Sequence, residues 1–387
     1  MKKKILAALL AFGMVFGAAS CNSGNAPAAT TAATNAPAAT GAKQKVGIAM
    51  PTQSLERWNR DGSYLEEQFK QAGYDTIVTY SDNDTNRQVN DIQNMIAEGA
   101  NLLVIAAIDG EALNTEMSEA ASSNIPVIAY DRLIKNDAVS YYVSFDNYTV
   151  GKLQGEYVRD TLKLDSAAGP FNIEFTAGDP ADNNAGYFFN GAFDVLKQYI
   201  DSGKLKVVSG QKDFDKVATP QWNTQKAMER AQNILASYYA DGTQVDAWLC
   251  SNDSTALGVA QAITSDYAGS NKPIITGQDG DEANLKNVVD GIQSMTVYKA
   301  VANEAVVTLD LGKAILGGKT ADSSLISSSG WGFDCAYDTE SYSTSDNRKC
   351  PSYLLTPDVV TKDNMVAKLV DTGYYTKDAS GYLHPAN

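Results

Sequence analysis

The chain has 387 residues, with 31 Lys and Arg against 46 Asp and Glu, for a net charge of −15. So acidic a surface repels nucleic acid and anionic membrane faces, which excludes both as partners. A single histidine, His384, lies three residues from the C-terminus, so histidine-based catalytic triads are excluded too. The length exceeds what one core supports, and two domains are expected.

In chain order, Lys2, Lys3 and Lys4 precede the apolar run "ILAALLAFGMVFGAA", which ends in small residues before Cys21. The run is short for a membrane span. The pattern resembles a bacterial lipoprotein signal, which implies a signal peptide over residues 1–20 and lipidation of Cys21. Its removal leaves 28 basic residues against 46 acidic ones, a net charge of −18. Residues 22–43 are almost wholly Asn, Ser, Gly, Ala, Pro and Thr. Such a stretch cannot bury enough apolar surface to offset its ordering entropy, so 21–43 reads as a lipidated, flexible tether spanning ~25 Å.

Beyond the tether, short Val- and Ile-rich runs alternate with helix-length amphipathic segments. The runs are "KVGIAM", "DTIVTY", "LLVIAAI", "PVIAYD" and "YYVSF", then a helix over about 148–163. A second series follows: "FNIEFTA", "LKVVSG", "DAWLCS", "PIITGQD" and "QSMTVYK". Near-continuous apolar strands alternating with helices predict parallel sheets covered on both faces. The fold class is therefore α/β, with two doubly wound parallel-sheet lobes.

Ligands of open α/β sheets sit outside the carboxyl ends of the strands. The residues there are Arg57 and Trp58; Asp131 and Arg132; Asp182, Asn183 and Asn184; Asn252 and Asp253; Asp279; and Lys299. Trp222 lies in the loop before a helix starting near Gln225. Any one of these has a bland reading: Asn184 and Asp253 as helix N-caps, Asp131 and Arg132 as a self-satisfied surface pair, the tryptophans as core. Together they suit a monosaccharide. Carboxylates and amides paired with Arg or Lys saturate vicinal diols, and an indole lies well against the C–H face of the ring.

The strings "LERW", "DIQNMIAEGANLLVIAAIDG", "VIAYDRLI", "SFDN", "DPADNNA", "QYIDSGKLKVVSG", "SNDSTALG", "ITGQDGD", "MTVYK" and "YLLTPDVV" resemble the sugar receptors of ABC importers, in the branch of the D-xylose-binding and multiple-monosaccharide-binding proteins. The resemblance covers essentially the whole chain after the tether. It implies a type I periplasmic-binding-protein fold, two lobes joined by a three-segment hinge, and sugar contacts at Arg57, Trp58, Asp131, Arg132, Asn184, Trp222, Asn252, Asp279 and Lys299. Crossings are expected near Asp146–Asn147, Met295–Lys299 and Pro351–Leu355. The first lobe would then hold 44–146 and 298–350, and the second 147–297 and 351–387. The implied function is monosaccharide delivery to an ABC permease by an exported, membrane-anchored monomer without cofactor or metal. Sugar co-reception for chemotaxis or a sensor kinase is the alternative.

An enzyme reading needs two carboxylates facing one glycosidic bond, for which Asp131 and Asp279 are the candidates; their hydrogen-bonding neighbours favour binding instead. A repressor reading is excluded by the export signal and the lack of a helix-turn-helix segment. "LGGKT" at 316–320 lacks the earlier glycine of a phosphate loop, and "DNDTN" at 82–86 lacks the closing acid of a calcium loop. Cys250 reads as a buried small hydrophobe. The segment 330–350 departs from the family as an insertion. Within it, Cys335 and Cys350 flank a polar loop in an exported chain, where a disulfide is expected.

Overall fold

The computed structural model describes residues 43–345 and 348–386. The signal peptide, Cys21 and all of the tether except Lys43 lie outside the described residues. Strands β1 (Lys45–Met50), β2 (Asp75–Tyr80), β3 (Leu102–Ile105), β4 (Val127–Tyr130) and β5 (Val139–Phe145) form the first series. The second comprises β6 (Phe171–Thr176), β7 (Leu205–Val207), β8 (Ala247–Cys250), β9 (Ile274–Ile275) and β10 (Met295–Tyr298). After a helix at Val301–Leu316 come β11 (Cys335–Asp338), β12 (Ser343–Ser345), β13 (Arg348–Lys349), β14 (Ser352–Leu355) and β15 (Asp358–Thr361).

The first lobe is built on a sheet of order β11-β14-β5-β4-β3-β1-β2, parallel except for β11. The strand period of two divides its apolar residues between two cores. Ile48, Val104 and Ile128 pack under helices Glu56–Gln71 and Val301–Leu316. Ala49, Leu103 and Ala129 face the opposite core, with Ile92 and Met117 from helices Thr85–Ala97 and Asn114–Ser122. The second lobe repeats the design with order β7-β6-β8-β9. A bridge from Gln278 to Val297 continues it to β10, which pairs with β15. Each fully buried Val, Leu or Ile contributes about 1.5–3 kcal/mol, so both faces of both sheets hold the lobes together.

Helices open where an Asp or Asn accepts from the first-turn amides: Asp84, Asp146, Asp182, Asn223 and Asn252. Each such cap contributes ~1 kcal/mol. Asp82 and Asn83 adopt positive φ just before the Asp84 cap, so "DNDTN" is a strand-to-helix turn.

The chain passes between the sheets after β5, after β10 and after β14. The last passage differs from expectation. Ser352–Leu355, assigned above to the second lobe with 351–387, pairs in parallel with Tyr142–Phe145 in the first sheet. All four of its residues are buried, and the crossing falls at Thr356–Pro357, where Pro357 has no amide to extend the ladder.

The expected Cys335–Cys350 disulfide is absent; both thiols are free. In the antiparallel register Cys335 faces Leu355, five positions along the strand from Cys350. That is roughly 17 Å at the rise of an extended strand, against the 4.4–6.8 Å a disulfide needs between Cα atoms. Burial pushes both thiols up to about 12, which also makes them slow to oxidise. Alkylation in denaturant without reductant should therefore modify both cysteines; recovery of a linked peptide pair would contradict the register.

Candidate functional site

All nine candidate residues are buried, none more than 6 % exposed. Eight of them (Arg57, Trp58, Asp131, Arg132, Trp222, Asn252, Asp279 and Lys299) line one cavity between the lobes, with Leu55, Asp182, Phe188, Ser254 and Gln278. The empty space within it is ≈ 340 Å³, including space open to solvent. Asn184 stands behind this lining. Its Nδ2 donates to the Asp131 carbonyl at 2.6 Å, and its Oδ1 accepts from the Tyr142 hydroxyl at 3.0 Å.

Asp131 and Arg132 do not pair with each other. Asp131 Oδ2 accepts from Arg57 Nη1 at 3.0 Å and from Lys299 Nζ at 3.2 Å. Arg132 instead lies with Nε 3.2 Å from Asp182 Oδ2 in the second lobe, and its Nη1 donates to the Ala107 carbonyl at 3.1 Å. Asp279, from the second lobe, lies 3.5 Å from Arg57 Nη1 and 3.4 Å from Lys299 Nζ. Burial alone would raise the Asp131 carboxyl, but Arg57, Lys299 and Arg132 outweigh it and hold the group down at about 2. Asp182 goes the other way, because burial outweighs the Arg132 charge.

A deeper layer orients these groups. Asp61 takes Arg57 Nε at 3.2 Å and Nη2 at 2.9 Å, and accepts from the Tyr130 hydroxyl at 2.6 Å. Glu304 is fully buried, with Oε2 3.7 Å from Arg57 Nη2; burial and the neighbouring Asp131 charge push its carboxyl well up, against the pull of Arg57 and Lys299. The Arg57 and Arg132 guanidinium carbons lie 4.3 and 4.9 Å from the Trp58 ring centroid.

Three of the nine candidates have left-handed backbones: Asp131 at φ +55°, Trp222 at +53° and Asp279 at +106°. Such conformations cost about 1–3 kcal/mol each and collect at functional sites. Trp222 is held further by its indole N–H, which donates to Asp182 Oδ2 at 3.2 Å. Asn252 has two roles. Its Oδ1 caps the helix Asp253–Asp266 by accepting from the Thr255 amide at 3.0 Å, while its Nδ2 has no protein partner among the described residues. The bland reading of Asn184 and Asp253 as caps passes to their neighbours Asp182 and Asn252. Asp253 turns inward, accepting from Gln293 Nε2, Thr296 Oγ1 and the Asp281 amide.

Sequence reasoning noticed Asp182 but left it out of the final nine, and it passed over Leu55, Phe188, Ser254 and Gln278. Asp182 follows the same strand-end rule as Asn184; Phe188 gives no signal beyond its place on a helix. Arg132 Nε, Asp279 Oδ1 and Gln278 Oε1 are buried without a hydrogen bond. Burying charges costs several kcal/mol apiece unless each is answered.

Outside the cavity, the lobes also meet at its rim. Arg60 Nη2, on helix Glu56–Gln71, donates to the Asp279 carbonyl at 3.1 Å and to Asp281 Oδ1 at 3.3 Å. Glu56 Oε2 accepts from the Glu282 amide at 3.1 Å, at the start of helix Glu282–Asp290. This is a closed arrangement.

A family model described as "Periplasmic binding protein domain" matches residues 46–320. The multiple sugar-binding periplasmic receptor ChvE of Rhizobium radiobacter is 42% identical over 342 residues, covering 87% of this chain and 92% of that protein. The D-xylose-binding periplasmic protein of Haemophilus influenzae is 33% identical over 339 residues, 87% of this chain and 91% of its own. Among solved structures, an ABC transporter solute binding protein from Clostridium phytofermentans with bound β-D-glucose matches with a TM-score of 0.81 and 50% identity, covering 87% of this chain and 99% of that one. With most of its length inside the family match and inside relatives of this similarity, the chain belongs to the periplasmic binding protein family.

Proposed function

We propose that this protein is an extracytoplasmic receptor that closes its two lobes over one monosaccharide and presents it to the permease of an ABC importer. The observation that carries the reading is the cavity itself. It is walled by Asp131, Asp182, Asp279, Arg57, Arg132 and Lys299 from both lobes, with Trp58 and Trp222 as apolar faces. Each sugar hydroxyl donates once and accepts twice, which matches carboxylates and cations set side by side. A guest touching both walls makes binding and closure one event, with the three crossing segments as the hinge. A permease then reads the closed surface, because only a state-dependent surface reports occupancy.

The D-xylose and β-D-glucose in the names of the relatives support a monosaccharide as ligand, and the proposed class is glucose, galactose, xylose or arabinose. A thermal-shift screen over a dozen monosaccharides tests this: a raised melting temperature with at least one pyranose is expected, and no shift with any of them would overturn it.

The anchor belongs to the same proposal. Lipidation of Cys21, supported by the three lysines and the short apolar run before it, would tether the receptor near its permease. Cys21→Ala should move the protein from the membrane fraction to the soluble one. A wild-type protein that is already soluble would contradict it.

A further inference from the structure

The insertion between Gly330 and Pro351 is fixed to the first lobe. Strand β11 extends the first sheet, and the β12–β13 hairpin is pinned to the loop before β5. Lys135 Nζ donates to the Ser343 carbonyl at 2.8 Å, Thr344 Oγ1 to Asp137 Oδ1 at 2.7 Å, and Arg348 Nη1 to the Val139 carbonyl at 2.9 Å. This anchorage delivers Tyr342, which is buried at 2 % exposure. Its ring sits edge-on to Tyr142, with centroids 5.0 Å apart, and tilted against Tyr187 at 5.2 Å.

Those two neighbours lie directly behind the sugar cavity, one in each lobe. Tyr142 belongs to β5, and its hydroxyl lies 2.5 Å from the Asp131 carbonyl oxygen. Tyr187 lies on helix Asn183–Asp201, whose cap is Asp182 and whose first turn carries Asn184. An edge-to-face aromatic pair such as Tyr342–Tyr142 contributes about 0.5–1.5 kcal/mol beyond burial, and the tilted Tyr187 contact shares the same ring. The Tyr342–Tyr187 contact joins the two lobes beside the crossing residues Asp146 and Thr356–Pro357.

We infer that Tyr342 is a positioning residue for the binding site: wedged between Tyr142 and Tyr187, it holds Asp131 in place and favours the closed form, so the insertion slows release of the bound sugar. This rests on the sugar-binding reading above. The test is stopped-flow tryptophan fluorescence with D-glucose, since Trp58 and Trp222 line the cavity. Tyr342→Ala should raise the dissociation rate about tenfold, the equivalent of about 1.4 kcal/mol, with the association rate within about twofold. Tyr342→Phe keeps the ring and should restore slow release, which a loss of general stability would not explain. Should Tyr342→Ala not fold, Tyr187→Ala removes the same interlobe contact from its half-buried side and should speed release several-fold. A wild-type protein that binds sugar while these alanine variants release it at the wild-type rate overturns the inference alone, as does a phenylalanine variant no better than alanine. A wild-type protein that binds no sugar overturns the function as well.

Discussion

Asp131→Ala should cut monosaccharide affinity by roughly 30- to 1000-fold, the equivalent of about 2–4 kcal/mol. Asp131 Oδ2 is where Arg57 and Lys299 converge. Without it, Lys299 is left with Asp279 alone at 3.4 Å, whose Oδ1 makes no hydrogen bond, while Arg57 keeps Asp61 but loses the acceptor of its Nη1. The hydroxyl that Asp131 would answer is also left desolvated. Removing one partner from a buried ion pair costs about 3–5 kcal/mol of stability in its own right, so the melting temperature should fall too. Calorimetry well below that temperature separates the two effects. Asp131→Asn, which keeps the shape and removes the charge, should bind nearly as poorly. Affinity close to wild type in either variant would mean that Asp131 serves only its ion pairs.

Gly178→Ala should weaken binding by roughly 5- to 150-fold, the about 1–3 kcal/mol typical of overpacking. A methyl group on Gly178 would lie 1.9 Å from Cη2 of Trp222 and 2.3 Å from its Cζ3. The indole cannot easily retreat. Its backbone is already at φ +53°, its N–H is committed to Asp182, and Phe188 packs against it with centroids 6.1 Å apart. Trp222→Ala should produce a loss of similar size with less change in selectivity, since a stacking face reads the ring and not single hydroxyls. Gly186→Ala, on a helix position with nothing within 4 Å of the added carbon, provides the comparison and should bind as wild type. Equal affinity in all three variants would remove Trp222 from the site.

Much of the site could be read from sequence because the parallel α/β architecture places function at strand ends. Strand-end residues from two series of apolar runs supplied seven of the eight candidate lining residues, with Trp222 from a loop before a helix, and the fold gathers them into one cavity. What sequence could not show was pairing. The adjacency of Asp131 and Arg132 suggested mutual contact, yet a strand end directs neighbouring side chains apart. One reaches Arg57 and Lys299, the other Asp182 across the cleft. Register was hidden for the same reason. Fifteen positions separate Cys335 from Cys350, a spacing that suits a closed loop, but antiparallel pairing with β14 places the two thiols far along the sheet from each other. Ser352–Leu355 reads as a strand in either lobe, and only its ladder with β5 decides which. The insertion was opaque for a different reason: its contribution is made by one ring, Tyr342, against rings distant in sequence.

The central claim is that one sugar is gripped by charges from both lobes. Isothermal titration of the wild-type protein with D-glucose, followed by D-xylose, D-galactose and L-arabinose, measures it directly. The account predicts saturable binding of one molecule per chain by at least one of them, lost in Asp131→Ala. No heat from any of the four at millimolar concentration, or undiminished binding in Asp131→Ala, would contradict it.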